Sequence, residues 1–143
     1  PHWREFANAI QLGLCRRPDS QRHRILITIS IYNVQLTSSV MDLLSPALNG
    51  KEIDMLTLDN NDFVSVSDGI KFAVNVMESN PNMKEFYWNN NQLESMENAH
   101  SVLDAVISHP SIDRICLENC LLGEDINGPL THTQTKACAK RPG

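Results

Sequence analysis

Four stretches of this chain share one pattern of apolar and polar positions. They are Leu26–Leu36 (LITISIYNVQL), Ile53–Phe63 (IDMLTLDNNDF), Met83–Leu93 (MKEFYWNNNQL) and Ile112–Leu122 (IDRICLENCLL), with starts 27, 30 and 29 residues apart. Numbering each stretch 1 to 11, positions 1, 4, 6 and 11 are large and apolar in all four. Position 8 is asparagine every time: Asn33, Asn60, Asn90 and Asn119. Apolar residues at 4 and 6, alternating with 5 and 7, have the period of a short strand with one buried face. The pattern predicts strands near 28–32, 55–59, 85–89 and 114–118, with the side chains of positions 3, 5 and 7 on the outward face.

The stretches between them have helical spacing. Ser39–Asn49 places Val40, Leu43, Leu44 and Leu48 on one face, Asp68–Ser79 places Ile70, Ala73, Val74 and Met77, and Glu97–His109 places Val102, Leu103, Val106 and Ile107. Ser39 and Asp42 have capping-box spacing, and Pro46 is expected to shorten its helix or force an irregular turn. Each helix ends on a turn signal: Asn49-Gly50, Asn80-Pro81 and His109-Pro110. The unit is therefore strand, turn, helix, turn. Strand–helix–strand crossovers are right-handed and build parallel sheets. A unit this small cannot bury its apolar face alone, so the units are expected to stack.

The L-x-x-L-x-L-x-N-[N/C]-x-L pattern in Ile53–Phe63, Met83–Leu93 and Ile112–Leu122 resembles the leucine-rich-repeat family, in its ribonuclease-inhibitor-like subclass. The resemblance implies an α/β class: a right-handed βα solenoid, a horseshoe fragment with parallel strands on the concave side and helices on the convex side. It covers residues 25–122. Residues 1–24 read as the helix of a partial N-terminal repeat, with Trp3, Phe6, Ala7, Ile10 and Leu14 on one face, followed by the basic loop Arg16–Arg24. Residues 123–143 read as a partial repeat and disordered tail. Half-units at both ends, and a first residue that is not Met, lead to the expectation of a piece of a longer protein.

Charge narrows the function. The net charge is −5, but residues 25–122 carry four basic and thirteen acidic side chains, a balance of −9. That is unfavourable for nucleic acid, which needs a positive footprint. No stretch approaches the length of a membrane-spanning helix. Four cysteines in 143 residues and the lack of any Asn-x-Ser/Thr acceptor lean toward an intracellular setting, cytoplasmic or nuclear.

Cys116 and Cys120 have C-x3-C spacing, but position 5 faces out and position 9 faces in, so they do not converge on a metal ion. Neither a nucleophile elbow nor a phosphate loop is present. The position 8 asparagines suit the turns that end strands. No catalytic group, metal or cofactor is expected. The expected activity is non-catalytic: a scaffold whose acidic, Tyr-bearing concave face, at Tyr32, Met55, Asp59, Glu85, Tyr87, Arg114 and Glu118, docks a protein with a basic patch. The alternative is the regulatory or sensor region of a larger ubiquitin-ligase, GTPase-regulating or nucleotide-switch protein, as the family resemblance implies.

Overall fold

The computed structural model describes residues 2–13, 26–120 and 138–140. Helix α1 (Trp3–Gly13) comes first. Then follow β1 (Thr28–Ser30), β2 (Gln35–Leu36), α2 (Ser38–Leu48), β3 (Met55–Thr57), β4 (Asp62–Phe63), α3 (Val66–Glu78), β5 (Glu85–Tyr87), α4 (Met96–Ser108), β6 (Arg114–Cys116) and β7 (Cys138–Lys140). The main sheet has the order β1-β3-β5-β6-β7, and β2 pairs with β4 in a second, two-stranded sheet. The fold is mixed α/β, and no barrel closes among the described residues.

The register follows the sequence pattern. Thr28 lies beside Met55, Met55 beside Glu85 and Glu85 beside Arg114, all in parallel pairs. Position 3 therefore meets position 3 along the whole parallel part of the sheet. Between the strands, α2, α3 and α4 pack one on the next, and α1 packs on α2. Side chains from strands and helices share one core. Its largest members are Trp88 and Phe86, and Trp88 stacks on Phe63 with ring centroids 4.7 Å apart. Positions 1, 4, 6 and 11 fill this core as the pattern requires, apart from Leu26, Ile29 and the undescribed Leu122. Leu26 is 70 % exposed, with the neighbouring Ile27 buried in its place. Leu26 precedes β1, which among the described residues is an edge strand paired with β3.

The strands end at position 5, two residues earlier than the alternation predicts. Beyond it, backbone bonds between units continue and side chains join them. The Asn89 N–H donates to Asp59 Oδ1 at 2.8 Å, and the Glu118 N–H donates to Asn89 Oδ1 at 2.8 Å. Position 8 then turns the chain. Asn33, Asn60, Asn90 and Asn119 all adopt left-handed backbone, with φ of 57°, 51°, 56° and 53°. Asparagine tolerates that conformation because its short amide bonds locally.

The helices start one or two residues before the predicted positions. Thr37, Ser65 and Ser95 are the N-caps, each in extended backbone with its hydroxyl accepting the N–H three residues on. The expected cap at Ser39 is thus displaced to Thr37, the residue that directly follows β2. Pro46 does not shorten α2, which runs on to Leu48. Pro46 and Asp42 are both exposed, so the missing N–H and the carbonyl it leaves are on the solvent side.

The two ends are described only in part. Leu14 and the basic loop at 16–24 lie outside the described residues. In the stretch expected to be a loose tail, Cys138–Lys140 form β7, antiparallel to β6. The physical reason is the outer edge of β6, a row of backbone donors and acceptors that a further strand satisfies.

Candidate functional site

The parallel register collects positions 3, 5 and 7 of four strands onto one outward face. At its centre is a three-residue cluster. The Tyr87 hydroxyl donates to Glu85 Oε2, and Arg114 sits 3.8 Å from the same oxygen. The Arg114 guanidinium also lies 5.7 Å from the Tyr87 ring centroid, within cation–π range. These contacts exist because Glu85 and Tyr87 are two apart on β5 while Arg114 is the register partner of Glu85 on β6. Desolvation, then the hydrogen bond to Glu85 and its charge, raise the Tyr87 pKa above 10.0.

The other predicted site residues surround this cluster unequally. Met55 and Asp59 are half-buried on and after β3. Asp59 is engaged structurally: Oδ1 accepts the Asn89 N–H and Oδ2 accepts the Asn89 side-chain amide. Tyr32 is 59 % exposed at the β1 edge, beside a cavity of about 400 Å³ lined with Trp3, Phe6, Ile31 and Val34. Glu118 is exposed past the end of β6. Glu85, Tyr87 and Arg114 are therefore brought into contact, Asp59 adjoins them through the charge it exerts on Tyr87, and Tyr32 and Glu118 stand at opposite margins.

One position 5 residue departs from the pattern. Cys116 is 3 % exposed and disulfide-bonded, where the alternation expects an outward thiol. Strand β7 runs alongside it and removes that edge from solvent. Cys120, at position 9, is buried and takes part in no disulfide. Among the described residues no group of three or more His, Cys, Asp or Glu side chains is placed to hold a metal ion. Nor is any helix there long and apolar enough to cross a membrane.

Position 9 forms a second series, half-buried at Val34 and Asn61 and buried at Asn91 and Cys120. The Asn61 side chain accepts from the Val34 N–H and donates to the Ile31 carbonyl, 30 residues back. Asn91 repeats the arrangement one unit later, accepting from the Asn61 N–H and donating to the Leu58 carbonyl. Cys120 reaches the Trp88 carbonyl with its thiol at 3.2 Å. Each position 9 side chain ties its own unit to the one before, and Val34 lacks the donor to do so.

Three buried polar residues have roles that the sequence pattern did not single out. Asp54 accepts the Ile27 N–H at 2.8 Å. Asn80 accepts from the Lys51 and Ile53 N–H groups and donates to the Leu48 and Val76 carbonyls. His109 takes the same place one unit later. Its Nδ1 accepts the Ser111 and Ile112 N–H groups, so Nε2 carries the proton that is shared between the Met77 and Asn80 carbonyls. Their signal was position: Asn80 and His109 each stand directly before a proline at a helix end.

No family model, curated protein or solved structure matches this chain.

Proposed function

We propose that the chain is a non-catalytic protein-binding scaffold, part of a leucine-rich-repeat solenoid of the ribonuclease-inhibitor-like kind. The observation that carries this reading is the in-register parallel sheet. It aligns the outward residues of four successive units into a single surface with tyrosine, methionine and carboxylates upon it. The docking face comprises Tyr32, Met55, Asp59, Glu85, Tyr87, Arg114 and Glu118, and the partner carries a basic patch that complements the −9 balance of residues 25–122. Tyrosine and arginine are the residue types that anchor interfaces most strongly. The Tyr87 ring is held rigid by Glu85 on one side and Arg114 on the other, so it loses little freedom on docking. The stack of strand–helix units, with a side chain tying each unit to the previous one, supports the solenoid reading.

The test is a selection from a random peptide library, with every binder re-measured on the double variant E85K/E118K. Glu118 and Glu85 are chosen over Asp59, whose carboxylate also holds the sheet together. The expected ligands are basic, lose on the order of tenfold or more in affinity on the variant, and weaken as salt is raised. Ligands that bind the folded variant and the parent equally remove the face assignment.

A further inference from the structure

Strand β7 covers the outer edge of β6, and its pairing with β6 has a chemical signature. Arg114 is the register partner of Lys140, Ile115 of Ala139 and Cys116 of Cys138, in antiparallel sense. Two of these pairs differ in kind from the third. The Arg114 N–H donates to the Lys84 carbonyl, and the Cys116 carbonyl accepts from the Trp88 N–H, so the backbone groups of both residues point toward β5. Successive residues of a strand alternate, so Ile115 is the residue that directs its N–H and carbonyl at β7. Cys116 and Cys138 are then a non-hydrogen-bonded antiparallel pair, the kind whose Cα atoms stand about 4.5 Å apart. A disulfide needs Cα atoms about 4.4–6.8 Å apart. Cys116 is disulfide-bonded and Cys120 is not.

We propose that Cys116 and Cys138 form a redox-gated staple that holds the C-terminal strand against the sheet. Its formation removes two protons and two electrons from the two thiols and leaves one S–S bond. A small-molecule disulfide such as oxidised glutathione takes up the electrons and is itself cleaved to two thiols. In the oxidised form β7 covers the β6 edge. In the reduced form β7 loses that covalent tie, and a three-residue strand holds poorly by itself. The edge of β6 then becomes a row of free donors and acceptors, open to a strand from another chain. The proposal is independent of what docks on the outward face.

The experiment uses the full chain, oxidised by glutathione disulfide and mapped by proteolysis and mass spectrometry without reduction. The expected product is a peptide pair linking Cys116 with Cys138, unchanged in the C15S variant and absent in C138S. Amide exchange is then followed with and without dithiothreitol. The Ile115 amide is expected to exchange at least about tenfold faster after reduction, and equally fast in C138S under either condition, while the Phe86 amide inside the parallel sheet keeps its protection. A link from Cys116 to Cys15 or Cys120, a free Cys116 thiol after oxidation, or Ile115 protection indifferent to reduction overturns the proposal.

Discussion

Two sets of polar side chains in this protein behave in opposite ways. Asn80, Asn91 and His109 are almost fully buried, at 0 %, 2 % and 5 % exposure, and their side chains bond backbone groups, each reaching into the neighbouring unit. Glu85, Tyr87 and Arg114 lie on the outward face and bond chiefly with one another. The inner set satisfies N–H and C=O groups that water cannot reach, so its loss leaves those groups unpaired at full desolvation cost. The outer set exchanges one solvated arrangement for another, so its loss is cheap. One set holds units together, and the other is free to be spent on a partner.

The largest expected effect lies in the inner set. Asn80→Ala removes a side-chain partner from four backbone groups, on Lys51, Ile53, Leu48 and Val76, and the Val76 carbonyl keeps the Ser79 hydroxyl. A loss of about 3 kcal/mol in unfolding free energy is expected, measured by urea titration. Asn91→Ala strips only the Asn61 N–H and the Leu58 carbonyl, and about 2 kcal/mol is expected. If these two losses stayed within the range of surface substitutions, the division into inner and outer sets would collapse.

Arg114→Ala is the contrasting case. Its ion pair with Glu85 is half-exposed, and under about 1 kcal/mol is expected from the same titration. The removal should nevertheless leave a mark on Tyr87, because the Arg114 charge lowers the Tyr87 pKa against the larger raising influences of desolvation and Glu85. In a Tyr32→Phe background, absorbance titration of the remaining phenol should give a midpoint above the ordinary value, and Arg114→Ala should move it higher still. The sign for stability follows. A raised folded-state pKa means that the neutral phenol favours the fold. Its contribution is complete below the ordinary value of 10.0 and is lost as pH rises through the folded value.

The smallest effect concerns Asp68, at the start of α3. The Ser38 hydroxyl donates to it first and Ser65 second, which lowers its pKa below 3.8. Its contribution to stability is present above that ordinary value and is lost as pH falls through the folded one. Ser38→Ala should shift the Asp68 carboxyl titration upward by carbon-detected NMR while leaving the melting temperature almost unchanged.

Much of this comparison was legible along the chain. The apolar periods of two and three-to-four located the strands and helices, and position 3 of each aligned stretch became a register partner of the next. Asparagine at position 8 announced a turn, which the structure makes left-handed, a conformation few side chains accept. Of the outward face, the alternation named Glu85, Tyr87 and Arg114, but nothing in it joined the three. The Arg114 ion pair and its ring contact depend on strands 29 residues apart lying side by side. The alternation also sent Cys116 outward, because a period of two knows nothing of a further strand. Asp54, Asn80 and His109 were missed for the same reason: a buried polar residue and a solvated one are identical until the partner backbone arrives.

What the sequence by itself determined is the local pattern: which residues are apolar, at what period, and where the chain must turn. Those are matters of side-chain chemistry and steric preference within a few residues. Tertiary structure alone decided which polar groups became structural and which stayed available, where the sheet's two edges end, and what lies against Cys116. Those depend on groups distant in sequence that come within hydrogen-bond reach only after the units have stacked.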